Sequence, residues 1–146
     1  MGSVTVRASG VIPAPVDIVR GVLLDLPAQP EWFPGCVSAV ILQTDDDGRP
    51  LRARQVNDVK VAKDEFELVY DQQPQIMSWT LVAPSSAQKS ASGSWSWREA
   101  SGGTDVELEL TIEPAIPLPG FMVKKVLGDS AKAAVKGLRE YCADRS

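Results

Sequence analysis

Histidine is absent from the 146 residues. Its absence removes Ser-His-Asp and Cys-His nucleophile pairs, His-ligated haem, and His-containing zinc or non-haem iron sites. It also removes the one side chain whose unperturbed pKa falls between pH 5 and 8. Cysteine is scarce: Cys36 and Cys142 stand far apart and make no metal-ligand spacing. Two reduced thiols in a reducing compartment are expected, although one disulfide is a possible alternative. A basic excess is missing as well. The chain has 19 acidic against 15 basic residues and a net charge of −4, and Lys124-Lys125 is a pair rather than a patch. Nucleic-acid binding therefore has no electrostatic footprint. No apolar run reaches transmembrane length and none near the N-terminus suits a signal peptide, so a cytoplasmic location without an integral membrane segment is expected. Asp45-Asp46-Asp47, followed by Gly48, lacks the spaced oxygen ligands of a calcium loop and reads as a solvated hairpin turn. No metal and no cofactor are expected.

What is present suits a single domain. Hydrophobic residues make up 44 % and charged residues 23 %, enough for a core without staples at this length. Residues 3–8 alternate as a first strand, ended by Gly10 and Pro13. Pro15 then opens an apolar-periodic helix to about Leu26, with Asp17 near its N-terminus and Pro27 as its stop. Residues 30–35, carrying Trp32 and Phe33, read as a short helical turn. Strands over 37–43 and 51–59 flank the Asp-Gly turn.

Alternation continues through four more strands. In residues 63–70, Asp64, Phe66, Leu68 and Tyr70 share one face, and Gln72, Gln73 and Pro74 form a turn. Met77, Trp79 and Leu81 share a face of the next strand. Ala91, Gly93, Trp95 and Trp97 oppose Ser92, Ser94 and Ser96 in residues 89–98. Val106, Leu108, Leu110 and Ile112 form the cleanest half-buried strand. After three prolines in residues 114–119, a long helix runs from Gly120 to about Cys142, with Leu127, Ala131, Ala134, Leu138 and Tyr141 on one face.

Consecutive alternating strands imply an antiparallel sheet with one wet face, and only the last helix is long enough to cover the other. The predicted class is α+β: a seven-stranded curved antiparallel sheet wrapped around a long C-terminal helix, with two short helices between strands 1 and 2.

The sequence resembles the START-like, or Bet v 1-like, superfamily, in its polyketide cyclase/dehydrase or coenzyme Q-binding branch. The resemblance covers nearly the whole chain. It is carried by Ala14-Pro15-Val16-Asp17-Ile18-Val19, by Leu26 through Trp32-Phe33-Pro34-Gly35, and by Met77-Ser78-Trp79-Thr80-Leu81. Gly93-Ser94-Trp95 and Ile116-Pro117-Leu118-Pro119-Gly120-Phe121 complete it. The motifs together are specific for the fold and not for an activity. The resemblance implies a helix-grip fold with a hydrophobic cavity between sheet and helix, in a group that binds lipids, sterols, quinones or polyketides.

Four tryptophans stand out where aromatics total only 6 %. The family pattern makes Trp79 and Trp95 the leading cavity-wall candidates, with Met77, Phe66, Leu108 and Leu110 from neighbouring positions. Phe121, Leu127 and Ala131 are candidates from the last helix. Its alanines either allow close approach to the sheet or leave space, and both readings stay open. Trp32 and Phe33 are placed at one lip of an entrance, and Leu118, between Pro117 and Pro119, at the other. Gln55 and Asn57, on the more apolar face of their strand, are candidate inward polar groups for a ligand carbonyl or hydroxyl.

Three functions follow as expectations. The leading one is binding or carriage of a hydrophobic small molecule or lipid, by a monomer or homodimer. The second is a cyclase or aromatase acting mainly by shaping its substrate, for which Asp58, Asp64, Glu65, Tyr70 or an arginine would supply any acid or base. No residue is assigned as catalytic. The third is an interaction domain whose cavity has closed.

Overall fold

The computed structural model describes residues 2–58 and 62–145. Its elements, in chain order, are β1 (Val4–Ile12), α1 (Val16–Leu24), a 3-10 helix (Leu26–Glu31), β2 (Cys36–Thr44) and β3 (Pro50–Asp58). Then come β4 (Lys63–Gln73), β5 (Ile76–Leu81), β6 (Gln88–Ala100), β7 (Gly103–Pro114) and α2 (Gly120–Ala143). One seven-stranded antiparallel sheet has the order β1-β7-β6-β5-β4-β3-β2. The chain thus walks by hairpins from β2 to β7, and β1 closes against β7. This is the α+β helix-grip arrangement expected from the alternation.

Several boundaries move. Gly10 does not end β1 but pairs with Val106 inside it. A Cβ at Gly10 would meet the Arg139 guanidinium and Val135 of α2, so glycine serves the approach of helix to strand. Gln72 and Gln73 extend β4 by pairing with Met77 and Ile76, leaving a tighter turn after them. Val59, the expected end of β3, lies outside the described residues. Pro15 is the N-cap of α1 rather than a first-turn residue. The Asp45-Asp47 run is the hairpin turn: the Asp45 carboxylate accepts from the backbone N–H of Asp47 and Arg49, and Gly48 takes a positive φ of 82°.

The core lies between the sheet's inner face and α2. Ile12, Leu23, Leu26, Trp95, Leu108, Ala131, Ala134 and Leu138 are all at most 2 % exposed. Ala131 and Ala134 settle the open question about the helix. They are fully buried against the rest of the core, so here the small side chains bring α2 close. Gly137 does the same on the flank, where its Cα faces the backbone carbonyl of Trp32 with no room for a Cβ. Cys36 and Cys142 are both buried free thiols. Among the described residues no helix is long and apolar enough to cross a membrane.

Candidate functional site

Farther toward the N-terminal half of α2, sheet and helix part and leave a cavity of about 190 Å³. The inward phase of β4 gives it Asp64, Phe66, Leu68 and Tyr70. Met77 and Trp79 come from β5, Trp95 from β6, Leu110 from β7, and Leu127 with Ser130 from α2. Phe33, just after the 3-10 helix, adds a ring at one end.

Trp79 is held flat on the sheet by a missing side chain. Its cross-strand partner is Gly93, where a Cβ would come within 2.5 Å of the indole. Tyr70, the neighbour of Trp79 on β4, tilts against it with ring centroids 6.0 Å apart. Burial pushes the Tyr70 phenol well above its ordinary pKa, with the Cys36 thiol adding to the shift. Tyr70 therefore stays protonated and is a neutral donor on the wall.

Nine of the fourteen expected residues line this space: Phe33, Gln55, Asn57, Phe66, Met77, Trp79, Trp95, Leu110 and Leu127. Five do not. Trp32 stands behind the wall, edge-on to Trp95 at 5.8 Å, and its Nε1 is a buried donor without a partner among the described residues. Leu108 is fully buried beneath, paired with Trp95 and Ala8. Ala131 is fully buried in the core against which α2 packs. Leu118 and Phe121 are 42 % and 77 % exposed. Phe121 faces outward because it lies two residues, about 200° of helix rotation, from the inward Val123. The expected lip of Leu118 with Pro117 and Pro119 is therefore a solvent-facing loop, whereas Phe33 does reach the cavity.

The polar lining is more extensive than its two expected members. Gln29 Nε2 donates to Gln55 Oε1 at 3.3 Å and lies 3.6 Å from Cys36 Sγ. Gln55 Nε2 in turn donates to Asn57 Oδ1 at 2.9 Å. Opposite Asn57 is Asp64, 1 % exposed. Its carboxyl oxygens accept from Ser85 Oγ at 2.8 Å, the Ala87 N–H at 3.2 Å and Gln88 Nε2 at 3.0 Å. Two donors from the β5–β6 loop and one from the first residue of β6 thus satisfy most of a buried carboxyl group, and no cation pairs with it among the described residues. Burial raises the Cys36 thiol, with the Gln29 contact opposing, which keeps this neighbour of the amide chain neutral.

Of the acid–base candidates, only Asp64 and Tyr70 line the cavity. Glu65 and Asp58 are exposed. Arg52 and Arg54 turn to the outer face, where both engage Glu67. Asp64 and Tyr70 were readable as inward from the β4 alternation. Gln29, lying between two prolines in an irregular helix, and Gln88, at the end of a polar loop, carried no such periodic signal. Ser92 and Thr111 also line the cavity although strict alternation would send them outward. The register shift between Gln88 and Ser90 shows where pairing of β6 with β7 departs from regularity.

The family described as "Polyketide cyclase / dehydrase and lipid transport" matches residues 3–143. The chain belongs to this family. Solved structures agree on the fold. A START superfamily protein from Mycobacterium smegmatis superposes with a TM-score of 0.89 at 21 % identity, covering 99 % of this chain and 100 % of that one. The Zhui aromatase/cyclase from Streptomyces sp. R1128 gives 0.84 at 17 % identity, with 99 % and 96 % covered. A protein from Thermus thermophilus gives 0.80 at 25 % identity, with 98 % and 99 % covered. No curated protein sequence matches the chain. In this chain the cavity lies between the sheet and the C-terminal helix.

Proposed function

We propose that the chain binds a hydrophobic small molecule non-covalently in the space between the sheet and α2. The observation that carries this reading is the cavity itself, walled by Phe66, Met77, Trp79, Trp95, Leu110 and Leu127. Apolar surface of this kind gains about 25 cal/mol per Å² when a ligand replaces water on it, and the indoles offer rigid contact at little entropic cost. Family membership supports the same reading. A closed, fully packed interior, which an interaction domain would have, has less support because the interior is not filled.

Native mass spectrometry of gently purified protein, with titration of apolar probes followed by tryptophan fluorescence, tests the proposal. Bound small-molecule mass or saturable uptake is expected. A homogeneous apo mass together with no saturable uptake across the panel overturns it.

A second reading has one specific observation in its favour. Asp64 and the neutral Tyr70 hydroxyl line the same cavity, so a bound polyketone would meet an acceptor and a donor while its folding reduces the entropy of ring closure. Product formation above the uncatalysed background from short polyketone substrates would support cyclisation, and its absence across a panel would count against it.

A further inference from the structure

The polar groups on the cavity wall are arranged in a directed order. Gln29 donates to Gln55 and Gln55 donates to Asn57, each through its amide nitrogen. The chain of amides therefore ends on the Asn57 Nδ2 group, which has no acceptor among the described residues. Across the β3–β4 ladder from Asn57 stands Asp64. A carboxylate offers about four acceptor positions, and Ser85 and Ala87 of the β5–β6 loop with Gln88 at the start of β6 occupy three. An unused donor and an unused acceptor thus lie on paired positions of neighbouring strands, in a cavity whose wall also carries Phe66, Tyr70, Trp79 and Trp95.

Size narrows the occupant further. An engineered apolar cavity of about 150 Å³ holds benzene, and drug-sized ligands occupy roughly 300–1,000 Å³. The 190 Å³ here matches one substituted ring. A fused polycycle, a prenylated quinone or a diacyl lipid would not be enclosed.

Resting on the binding function proposed above, we infer that the cavity is a site for a small phenol-type ligand, one aromatic ring whose hydroxyl donates to Asp64 and accepts from Asn57. The ring lies against Trp79 and Trp95. A hydroxyl is the smallest group that satisfies both free positions at once. A hydrocarbon of the same shape would leave the Asn57 Nδ2 donor and the remaining acceptor position of Asp64 unfilled, and an ether would satisfy Asn57 but not that position of Asp64.

The test uses the intact chain and three matched probes: 4-propylphenol, 4-propylanisole and 4-propyltoluene, followed by tryptophan fluorescence and calorimetry. A hydrogen bond to a charged group supports a preference of at least about tenfold for the phenol over both other probes. Asp64→Asn and Asn57→Leu, each checked for folding by thermal melting, should shrink the ratio of phenol to 4-propyltoluene affinity. If either variant fails to fold, the comparison of the three probes on the native chain still decides. Equal or tighter binding of 4-propyltoluene by the native chain overturns the inference while sparing the apolar-cavity reading. An undiminished phenol preference in folded Asp64→Asn also overturns it. Saturable binding of larger apolar probes, with none of these three bound up to its solubility, overturns the inference alone. No uptake of any probe removes the underlying binding function too.

Discussion

Asn57 on β3 and Asp64 on β4 are direct cross-strand partners, and both side chains line the space under α2. The pairing couples the β5–β6 connection to the cavity, because Ser85 and Ala87 of the loop and Gln88 at the start of β6 all donate to Asp64. Gln88→Leu is expected to destabilise the fold by about 1–3 kcal/mol, since it removes a partner from a buried polar group. Urea denaturation measures this. A change within experimental scatter would mean that the loop does not depend on Asp64.

Gly93→Ala places a methyl group where the Trp79 indole now lies. The added carbon would stand 2.5 and 2.6 Å from two indole carbons and 2.9 Å from the Glu109 carbonyl oxygen, too close for the ring to stay, so the ring is expected to lift into the cavity. Overpacking of this kind costs about 1–3 kcal/mol. Weaker uptake of apolar probes and a changed tryptophan emission spectrum are expected. Unaltered emission and affinity would show that the ring has room elsewhere.

Acid should loosen the β2–β3 turn and the outer face of the sheet. Burial opposes ionisation of Asp45, but hydrogen bonds from Arg49 and Asp47 outweigh it and hold the carboxyl below its usual range. Glu67 is lowered chiefly by the Arg52 hydrogen bond, with Arg54 adding to it. Both folded pKa values lie below the unfolded ones. Their contribution is therefore complete above the unfolded values of 3.8 and 4.5. It fades as pH falls through the folded values. Stability curves from pH 6 to pH 2 should show this decline, and Arg52→Gln should flatten part of it.

The thiols provide a probe of opening. Burial raises Cys36 and pushes Cys142 to about 11, with Arg145 opposing in the latter case. Few thiolates exist at pH 8, so alkylation of the native protein should be slow and should accelerate in denaturant by orders of magnitude. Fast native labelling at Cys142 would mean that the C-terminal turns of α2 open readily, and at Cys36 that the start of β2 does.

Much of this architecture could be read from period alone. Val106, Leu108, Leu110 and Ile112 alternate so cleanly that β7 needed no tertiary information, and β4 likewise put Asp64 and Tyr70 on the inner face. What period cannot report is where two elements separate. Ala131 and Leu127 are one turn apart on the same face of α2, yet only Leu127 meets the cavity. Gln29 was hidden because a short helix between Pro27 and Pro30 carries no amphipathic repeat. Gln88 escaped because irregular pairing at the start of β6 breaks the two-residue rule that sorts inside from outside, whereas Ser92 lies beyond the shift, in regular register with Thr111 and on the outward phase, so no periodic signal marked it.

The uneven seating of α2 has a consequence for motion. Its second half is anchored by Ala131, Ala134, Val135, Leu138 and Cys142, whereas Phe121, Met122 and Val126 leave much of the first half in solvent. Local unfolding free energy follows buried contact. Amide protons of residues 124–128 should therefore exchange with deuterium well before those of residues 134–142, and fraying would travel from the cavity end of the helix toward its fixed end. The turns that roof the cavity are the ones least held down, so thermal breathing of α2 is concentrated over the space proposed to hold the ligand.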